Sequence, residues 1–305
     1  MIEVSVIIPN YNHAAFLKQR IDSVLNQTCQ NFELIILDDC STDNSKEVIE
    51  SYSGDPRISH IIFNTTNSGS PFLQWEKGIN LAKGKYVWIA ESDDWCEPSL
   101  LDDLLTGIKK DEDCVISYCQ MYYINRENSI KWQSSHPYLS EIVDSKHFIE
   151  DYLAVKVSIY NASMAIFKRE KFKNVSKEFT TFKFSGDRLF WIQIARQGKT
   201  HISGKVLNYF RKHDKDVSGK AYKSGLNFIE ELKIVNWMYK EKLINDSIYT
   251  QAFKKQYKEY WKVKDTIEPA NKLLIKPLFD HPLSSRTNTL KFLPSALWAN
   301  FKSKR

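Results

Sequence analysis

Three acidic residues follow an apolar run in the first third of the chain. Residues 86–90 read YVWIA, and Glu91, Asp93 and Asp94 come almost directly after them. Neighbouring ionised carboxylates repel each other, so this arrangement destabilises the fold unless each acid has its own interaction partner or function. Hard oxygen ligands with open coordination positions select Mg²⁺ or Mn²⁺. A cation beside these acids would relieve their repulsion, so the pattern is consistent with a divalent-cation site.

Two other polar loops follow apolar runs in the same way. Residues 4–8 lead into a loop that contains Tyr11, and residues 32–37 lead into Asp38 and Asp39. Ligands of open α/β sheets bind outside the carboxyl ends of the strands. We therefore expect the three loops to meet along one edge of a sheet, where they would bring five carboxylates and a tyrosine together.

Strand-like and helix-like patterns alternate through the first half of the chain and must position these loops. Apolar, β-branched runs predict strands, and apolar residues at helical spacing predict helices. The predicted strands are 4–8, 32–37, 58–63, 86–90 and 114–118, and the predicted helices are 14–27, 41–52, 72–83 and one after Pro98. Such alternation is typical of an α/β fold with a mostly parallel sheet and right-handed crossovers.

Composition is that of an ordinary globular protein. The chain has 305 residues, of which 42% are hydrophobic and 26% charged, and this is enough to bury a proper core. The five cysteines include no CxxC pair, which argues against a zinc knuckle and a disulfide framework and suits a reducing cytosol. No signal-peptide layout opens the chain and no apolar run approaches ~20 residues, so we predict a cytoplasmic protein.

The formal net charge of +6 is unevenly spread. Residues 251–305 hold 12 Lys/Arg against 4 Asp/Glu, whereas residues 1–250 hold 31 against 33. A basic excess confined to the tail does not indicate a nucleic-acid partner. Residues 290–301 place Leu297 and Trp298 on one helical face among basic residues. Two interpretations stay open: peripheral contact with the inner face of an anionic membrane, or packing on the rest of the protein.

Phosphate-binding glycine loops are missing from the sequence. No GxGxxG motif follows a predicted strand and no GxxxxGK[ST] motif occurs. A dinucleotide dehydrogenase or a phosphate-loop NTPase would need one of these cradles, so both classes are excluded.

The motifs IIPNYN, LDDCSTDNS, GKYVWI and ESDDW together resemble those of family 2 glycosyltransferases of the bacterial surface-polysaccharide type, over about residues 3–220. The resemblance implies a GT-A fold, a Rossmann-like, mostly parallel sheet flanked by helices. It implies inverting transfer from a nucleotide-diphosphate sugar, in particular a UDP-sugar, to a hydroxyl of a saccharide or lipid-linked saccharide. It also implies a catalytic domain at 1–220, with a nucleotide-binding half at 1–118 and an acceptor half at 119–220. A helical, basic extension would occupy 221–305.

The resemblance also implies roles for residues that match the motifs. Pro9 and Tyr11 would contact the nucleotide, with the Tyr11 ring stacked on the base, and Asp39 would hydrogen-bond that base. Asp93 would hold the ribose hydroxyls. Asp94 would bind Mn²⁺ or Mg²⁺, which stabilises the negative charge of the departing diphosphate.

The same comparison implies a general base and an acceptor region. Asp187, in FSGDRLFW, resembles the catalytic acid of the family and would deprotonate the acceptor hydroxyl, although a capping role for a helix at 188–196 stays open. His213, in YFRKHDKD, is either a metal or phosphate contact or a surface histidine. The predicted sugar and acceptor pocket is bordered by three residues: Trp95, Asn161 and Ser163.

One departure from the family pattern bears on the donor. The family places Arg-Asn before a glycine ahead of the fourth strand, whereas this chain has Gln74-Trp75-Glu76-Lys77-Gly78. A donor-contacting arginine is therefore missing, and Lys77 either replaces its charge or is a solvated helix residue.

Two other functions stay open on the sequence. A sugar-nucleotide pyrophosphorylase would be expected to carry a glycine-rich loop after its first strand, where residues 10–13 read NYNH. A protein that binds a sugar nucleotide without turnover is the second possibility, against which Asp94 and Asp187 argue.

Overall fold

The computed structural model describes residues 2–212 and 224–303, and His213 lies outside them. The chain divides into two compact units. The first comprises Met1–Ser145, Ile159–Thr181 and Gln193–His213, and the second comprises Lys146–Ser158, Phe182–Ile192 and Asp214–Arg305.

One mixed sheet forms the centre of the first unit, and ten strands of the described chain belong to it. The strands are β1 (Val4–Asn10), β2 (Phe32–Asp38), β3 (Ile58–Phe63), β4 (Tyr86–Ile89), β5 (Trp95–Cys96), β6 (Cys114–Ile124), β7 (Ile130–Gln133), β8 (Ser140–Val143), β9 (Ala165–Lys168) and β10 (Lys199–Arg211). Their spatial order is β3-β2-β1-β4-β9-β6-β10-β5, with β7 paired to β6 and β8 paired to β10.

The parallel part of this sheet positions the three polar loops. Strand β1 pairs in parallel with both β2 and β4, with Asn10 opposite Asp38 and Ile7 opposite Ile89. All residues of β1, β2 and β4 are buried, as expected for strands that are covered on both faces. Strand β9 runs antiparallel between β4 and β6, and β10 is parallel to β6. The predicted α/β fold with a mostly parallel sheet is confirmed.

The helices agree with the periodicity of the sequence to within a few residues. They are α1 (Ala14–Leu25), α2 (Ser45–Glu50), α3 (Pro71–Leu81), α4 (Leu100–Ile108), α5 (Ser145–His147), α6 (Gly186–Ala195), α7 (Leu226–Lys240), α8 (Asp246–Val263), α9 (Pro269–Asp280) and α10 (Leu293–Ser303). A π-helical stretch, Phe148–Ala154, follows α5, and short 3₁₀ turns include Ala162–Met164 and Thr289–Phe292. Helix α3 lies against β1 because Gly78 has no Cβ, which would come within 2.5 Å of the Ile7 side chain.

The apolar stripe of α1 contains a charged residue. Leu17, Ile21 and Val24 are buried as predicted, and Arg20 is buried among them. A buried guanidinium requires hydrogen-bonding or charged partners. Its partners lie in the acidic loop that follows β4.

Helices α7–α10 belong to the second unit and confirm the predicted helical C-terminal region. Its buried residues include Phe228, Tyr249, Phe253 and Phe279. The last helix begins at Leu293 rather than at residue 290. Pro294 lacks an N–H, so it fits the first turn of a helix and not its interior. Over the described ranges, no helix has both the length and the apolar character needed to span a membrane.

Candidate active site

Side-chain hydrogen bonds tie the loop after β1 to the loop after β2. Asn10 Nδ2 donates to Asp38 Oδ2 at 2.7 Å, and the Thr42 amide donates to Asn12 Oδ1 at 2.7 Å. The Ala14 amide, at the start of α1, donates to Asp43 Oδ2 at 3.0 Å. Asn12 has a φ of 58°, a left-handed conformation that asparagine tolerates better than most residues.

The third loop, Glu91–Asp94, joins the first through His13. Its Nδ1 lies 2.8 Å from Ser92 Oγ. The structure therefore brings the three loops together at the carboxyl edge of the sheet. Tyr11 projects from this junction with 46% of its surface exposed, which leaves its ring accessible for stacking.

Asp39 is buried, and its carboxylate already has several donors. Oδ1 accepts from Asn64 Nδ2 at 2.7 Å and from Gln74 Nε2 at 2.8 Å. Oδ2 accepts from Ser68 Oγ at 2.7 Å, and the Ser68 amide contacts both oxygens. A carboxylate offers about four acceptor positions. Asp39 thus anchors segment 64–74, and the predicted bond to a nucleotide base requires one of these donors to leave.

Asp94 is 1% exposed, and one ion pair and two hydrogen bonds join it to distant parts of the chain. Arg20 Nη2 lies 3.8 Å from Asp94 Oδ2. Asn161 Nδ2 donates to the same oxygen, and the Arg211 amide donates to Oδ1 at 3.1 Å. The metal role of Asp94 stays a prediction, and a metal bound there would have to share the carboxylate with these interior contacts.

Arg20 is the partner that sequence reasoning missed. Its side chain is fully buried, Nε donates to the Glu91 carbonyl at 2.8 Å, and the guanidinium lies 5.7 Å from the centre of the Trp88 ring. The only signal in the sequence is an arginine beside the apolar positions of α1. A solvated helix face produces the same signal far more often.

Two of the predicted pocket residues support the acidic loop from beneath. Ser163 is fully buried; its hydroxyl accepts from the Glu91 amide at 3.0 Å, and its carbonyl accepts from Trp88 Nε1 at 2.8 Å. Asn161 is buried on Asp94. Both precede β9, whose pairing with β4 brings them under the loop. These contacts give both side chains a supporting role in the loop, and their assignment to a sugar pocket stays a prediction.

Pro9 is buried and Trp95 is half-buried. Pro9 is buried within β1 opposite Leu37, and its contact with a nucleotide stays a prediction. Trp95 is half-buried and stacks on Tyr209, with ring centroids 3.6 Å apart and planes 6° apart. The Tyr209 hydroxyl donates to Glu97 Oε1 at 2.6 Å. One face of the Trp95 indole is thus covered.

The acidic loop is electrostatically crowded. Burial, together with the charges of Asp93 and Asp94, raises the pKa of Glu91 to about 8. Burial and the Asp93 charge also raise the pKa of Asp94, against the attraction of Arg20. Asp93 is half-buried and is therefore the acid of this pair that reaches the surface. A cation beside Asp93 would relieve the repulsion within the loop.

The carboxylates of the acidic loop suit a cation that is coordinated partly by the protein and partly by a substrate. No three His, Cys, Asp or Glu side chains in residues 2–212 and 224–303 are arranged to enclose a metal ion. Mg²⁺ and similar ions are commonly held by one or two carboxylates together with substrate phosphates. Asp93 fits that mode. The prediction for His213 falls on a residue that the structure does not describe.

Asp187 lies in the first turn of α6, in the second unit. The helix begins at Gly186, so Asp187 does not occupy the capping position ahead of the helix, although its Oδ1 accepts from the Arg188 amide at 2.7 Å. The side chain is half-buried. Burial raises the pKa of Asp187 to about 6, against the hydrogen bond and charge of Arg188. A carboxylate with such a pKa is a stronger base than a solvated aspartate and is still ionised at neutral pH.

Two adjacent glutamates of α7 fix the turn that carries Asp187. Glu230 accepts from the backbone amides of residues 183, 184 and 185 at 2.8, 2.9 and 2.8 Å. Glu231 forms an ion pair with Arg188, whose Nη2 also donates to the carbonyls of Leu153 and Ala154. The role of Glu230 had no sequence signal.

Comparison with known proteins places these features in a family. The family model described as "Glycosyl transferase family 2" matches residues 5–176. The Staphylococcus aureus poly(ribitol-phosphate) beta-N-acetylglucosaminyltransferase TarP is 30% identical over 216 residues, which cover 69% of this chain and 62% of that protein. The Campylobacter jejuni GalNAc(5)-diNAcBac-PP-undecaprenol beta-1,3-glucosyltransferase is 24% identical over 285 residues, or 91% of this chain and 89% of that protein.

A solved structure shares the fold. The crystal structure of S. aureus TarS 1-349 in complex with UDP-GlcNAc superposes with a TM-score of 0.72 at 18% identity, and covers 99% of this chain and 88% of that chain. The chain spans about three fifths of the length of TarP. The pyrophosphorylase interpretation is set aside by the family match. The family model matches residues 5–176, which are more than half of this chain. The chain therefore belongs to the family 2 glycosyltransferases and is a transferase enzyme.

Proposed function

We propose that this transferase moves a sugar, with inversion, from a UDP-sugar to a hydroxyl of a saccharide or lipid-linked saccharide. The observation that carries the proposal is the junction of three loops, which presents Tyr11 and Asp93 while Asp94 is neutralised inside. The crystal structure of TarS in complex with UDP-GlcNAc supports the choice of donor. The C. jejuni relative, named for an undecaprenol-linked acceptor, supports a lipid-linked saccharide.

In this proposal the donor lies along the junction. The exposed Tyr11 ring stacks on the base, and Asp39 keeps segment 64–74 in place beside it through Asn64, Ser68 and Gln74. Lys77 donates to Asn64 Oδ1 at 2.6 Å, so its amine supports the same segment.

Asp93 takes the metal role that the motif comparison assigned to Asp94. Its carboxylate reaches the surface of the acidic loop, whereas Asp94 faces Arg20. When bound, Mn²⁺ or Mg²⁺ supplies positive charge where the departing diphosphate becomes negative. Asp94, Arg20 and Asn161 hold the loop in shape for that contact.

Asp187 is proposed as the general base. It would accept the proton of the acceptor hydroxyl as that oxygen attacks the anomeric carbon of the donor. Glu230 and the Arg188–Glu231 pair would position it.

The last helix is proposed to contact an anionic membrane at its cytoplasmic face. Leu297, Trp298 and Phe301 are each at least half exposed and share one side of α10, while Ala296 and Phe292 are buried. One side of this segment thus packs within its unit, and the other presents apolar side chains in a basic part of the chain, as interfacial helices do.

The first prediction separates the two neighbouring aspartates. Asp93→Asn should lower Mn²⁺-stimulated UDP-GlcNAc turnover by about 10²–10³-fold, the usual effect of losing one electrostatic stabiliser, with little change in melting temperature. Asp94→Asn should instead destabilise the fold by ~3–5 kcal/mol, because Arg20 would stay buried without a charged partner. Thermal unfolding and turnover with Mn²⁺ or EDTA measure both. A stable Asp94→Asn protein whose turnover no longer responds to Mn²⁺ would identify Asp94 as the metal ligand.

The second prediction concerns the base. The base acts when it is ionised, so kcat/KM should rise with pH through about 6, the raised pKa of Asp187 in the free enzyme, and become level at higher pH. Asp187→Asn should lower kcat by ~10²–10⁴-fold. The Kd for the donor, measured by calorimetry, should be unchanged. Unaltered transfer by Asp187→Asn would assign the base to another residue.

The third prediction tests membrane contact. The double variant Leu297→Ser/Trp298→Ser should bind vesicles containing phosphatidylglycerol more weakly than the original protein in co-sedimentation. Leu139→Ser, which changes an exposed leucine of the first unit, is the matched control and should bind as before. Equal binding by all three proteins would leave the exposed side of α10 without a membrane role.

A further inference from the structure

Two large aromatic side chains of the first unit are exposed beside each other. Trp132, on β7, is 45% exposed and Tyr160, ahead of β9, is 39% exposed. Their ring centroids lie 5.1 Å apart with the planes at 77°. Apolar surface left in water costs ~25 cal/mol per Å². Contiguous exposed apolar surface commonly marks a binding site.

The backbone holds both rings in place. Trp132 lies opposite Tyr123 in the pairing of β7 with β6, and the Tyr160 amide donates to Met164 Sδ at 3.3 Å. The rings meet edge to face, an arrangement that aromatic pairs favour. The pair therefore presents two nearly perpendicular surfaces that are formed before any ligand arrives.

The pair lies close to the acidic loop. Tyr160 directly precedes Asn161, which donates to Asp94. On the other side, β7 pairs with β6, and β6 pairs with β10 up to Arg211, whose amide also donates to Asp94. Because neighbouring strands are ~4.7–4.9 Å apart, the backbones of β7 and β10 are separated by about 10 Å. A short saccharide spans that distance.

The chemistry of the pair fits a sugar ring. One face of a pyranose carries C–H groups with slight positive charge, and the face of an aromatic ring is negative. The Tyr160 hydroxyl can also exchange hydrogen bonds with sugar hydroxyls. We propose that Trp132 and Tyr160 form a subsite for a sugar ring of the acceptor saccharide, one position removed from the ring that receives the transferred sugar. This inference rests on the proposed function.

A second copy of the chain is a less suitable occupant. All four residues of β7 are exposed, and Lys131 stands between Ile130 and Trp132. A lysine on an exposed edge strand discourages pairing with another strand. The charge of Lys131 on this exposed edge therefore disfavours strand pairing between two copies of the chain.

The test is binding of the full chain to a glycan array of di- to tetrasaccharides. Trp132→Ala and Tyr160→Ala should each bind at least about tenfold more weakly than the original protein, and Trp132→Phe, which keeps an aromatic face, should retain most of the binding. Tyr138→Ala changes another exposed aromatic residue of the same unit and should bind normally. Equal array signals for the original chain and Trp132→Ala, including no signal from either, would overturn the subsite.

Two further readouts separate this inference from the proposed function. Hydrolysis of UDP-GlcNAc with Mn²⁺, without acceptor, should be the same in all four variants and in the original protein. Its absence from the original protein would contradict the donor proposal, whereas normal hydrolysis with unchanged glycan binding in Trp132→Ala would remove the subsite alone. A dimer of the original chain that Trp132→Ala converts to a monomer in gel filtration would show that the pair binds a second copy.

Discussion

The structure of the candidate site depends on the buried contact between Arg20 and Asp94. Removing one partner of a buried ion pair destabilises a protein by ~3–5 kcal/mol, because the other charge remains buried. Arg20 belongs to α1 and also bonds the Glu91 carbonyl after β4. Asp94 receives further bonds from Asn161, ahead of β9, and from the end of β10. One buried charge pair therefore fixes the acidic loop against three other segments of the first unit.

This contact gives adjacent acids different roles. Asp94 is enclosed, Asp93 reaches the surface, and burial together with the neighbouring charges raises the pKa of Glu91 to about 8. The Arg20 guanidinium reduces the repulsion at Asp94, and the raised pKa of Glu91 favours its neutral form. Asp93 is the half-buried acid at the surface of this loop, and it is the one that the transferase is proposed to use for its donor.

The sequence predicts the sheet well because its strands are continuous apolar runs that end in polar loops, and parallel topology then brings those loops to one edge. It cannot tell which of Asp93 and Asp94 is buried, since both follow the same strand and the choice depends on Arg20 and Asn161, which are distant in sequence. Asn161 and Ser163 have the polar character of pocket residues, yet the pairing of β9 with β4 places them under the loop. Glu230, which holds the turn before Asp187, gives no local signal at all.

The most direct measurement is a crystal structure of the chain with Mn²⁺ and UDP-GlcNAc, with the metal located by anomalous scattering. We expect an Asp93 oxygen and the diphosphate to coordinate Mn²⁺, while Asp94 keeps its contacts with Arg20 and Asn161. Manganese coordinated by Asp94, with Arg20 displaced from it, would contradict the division of roles between the two aspartates.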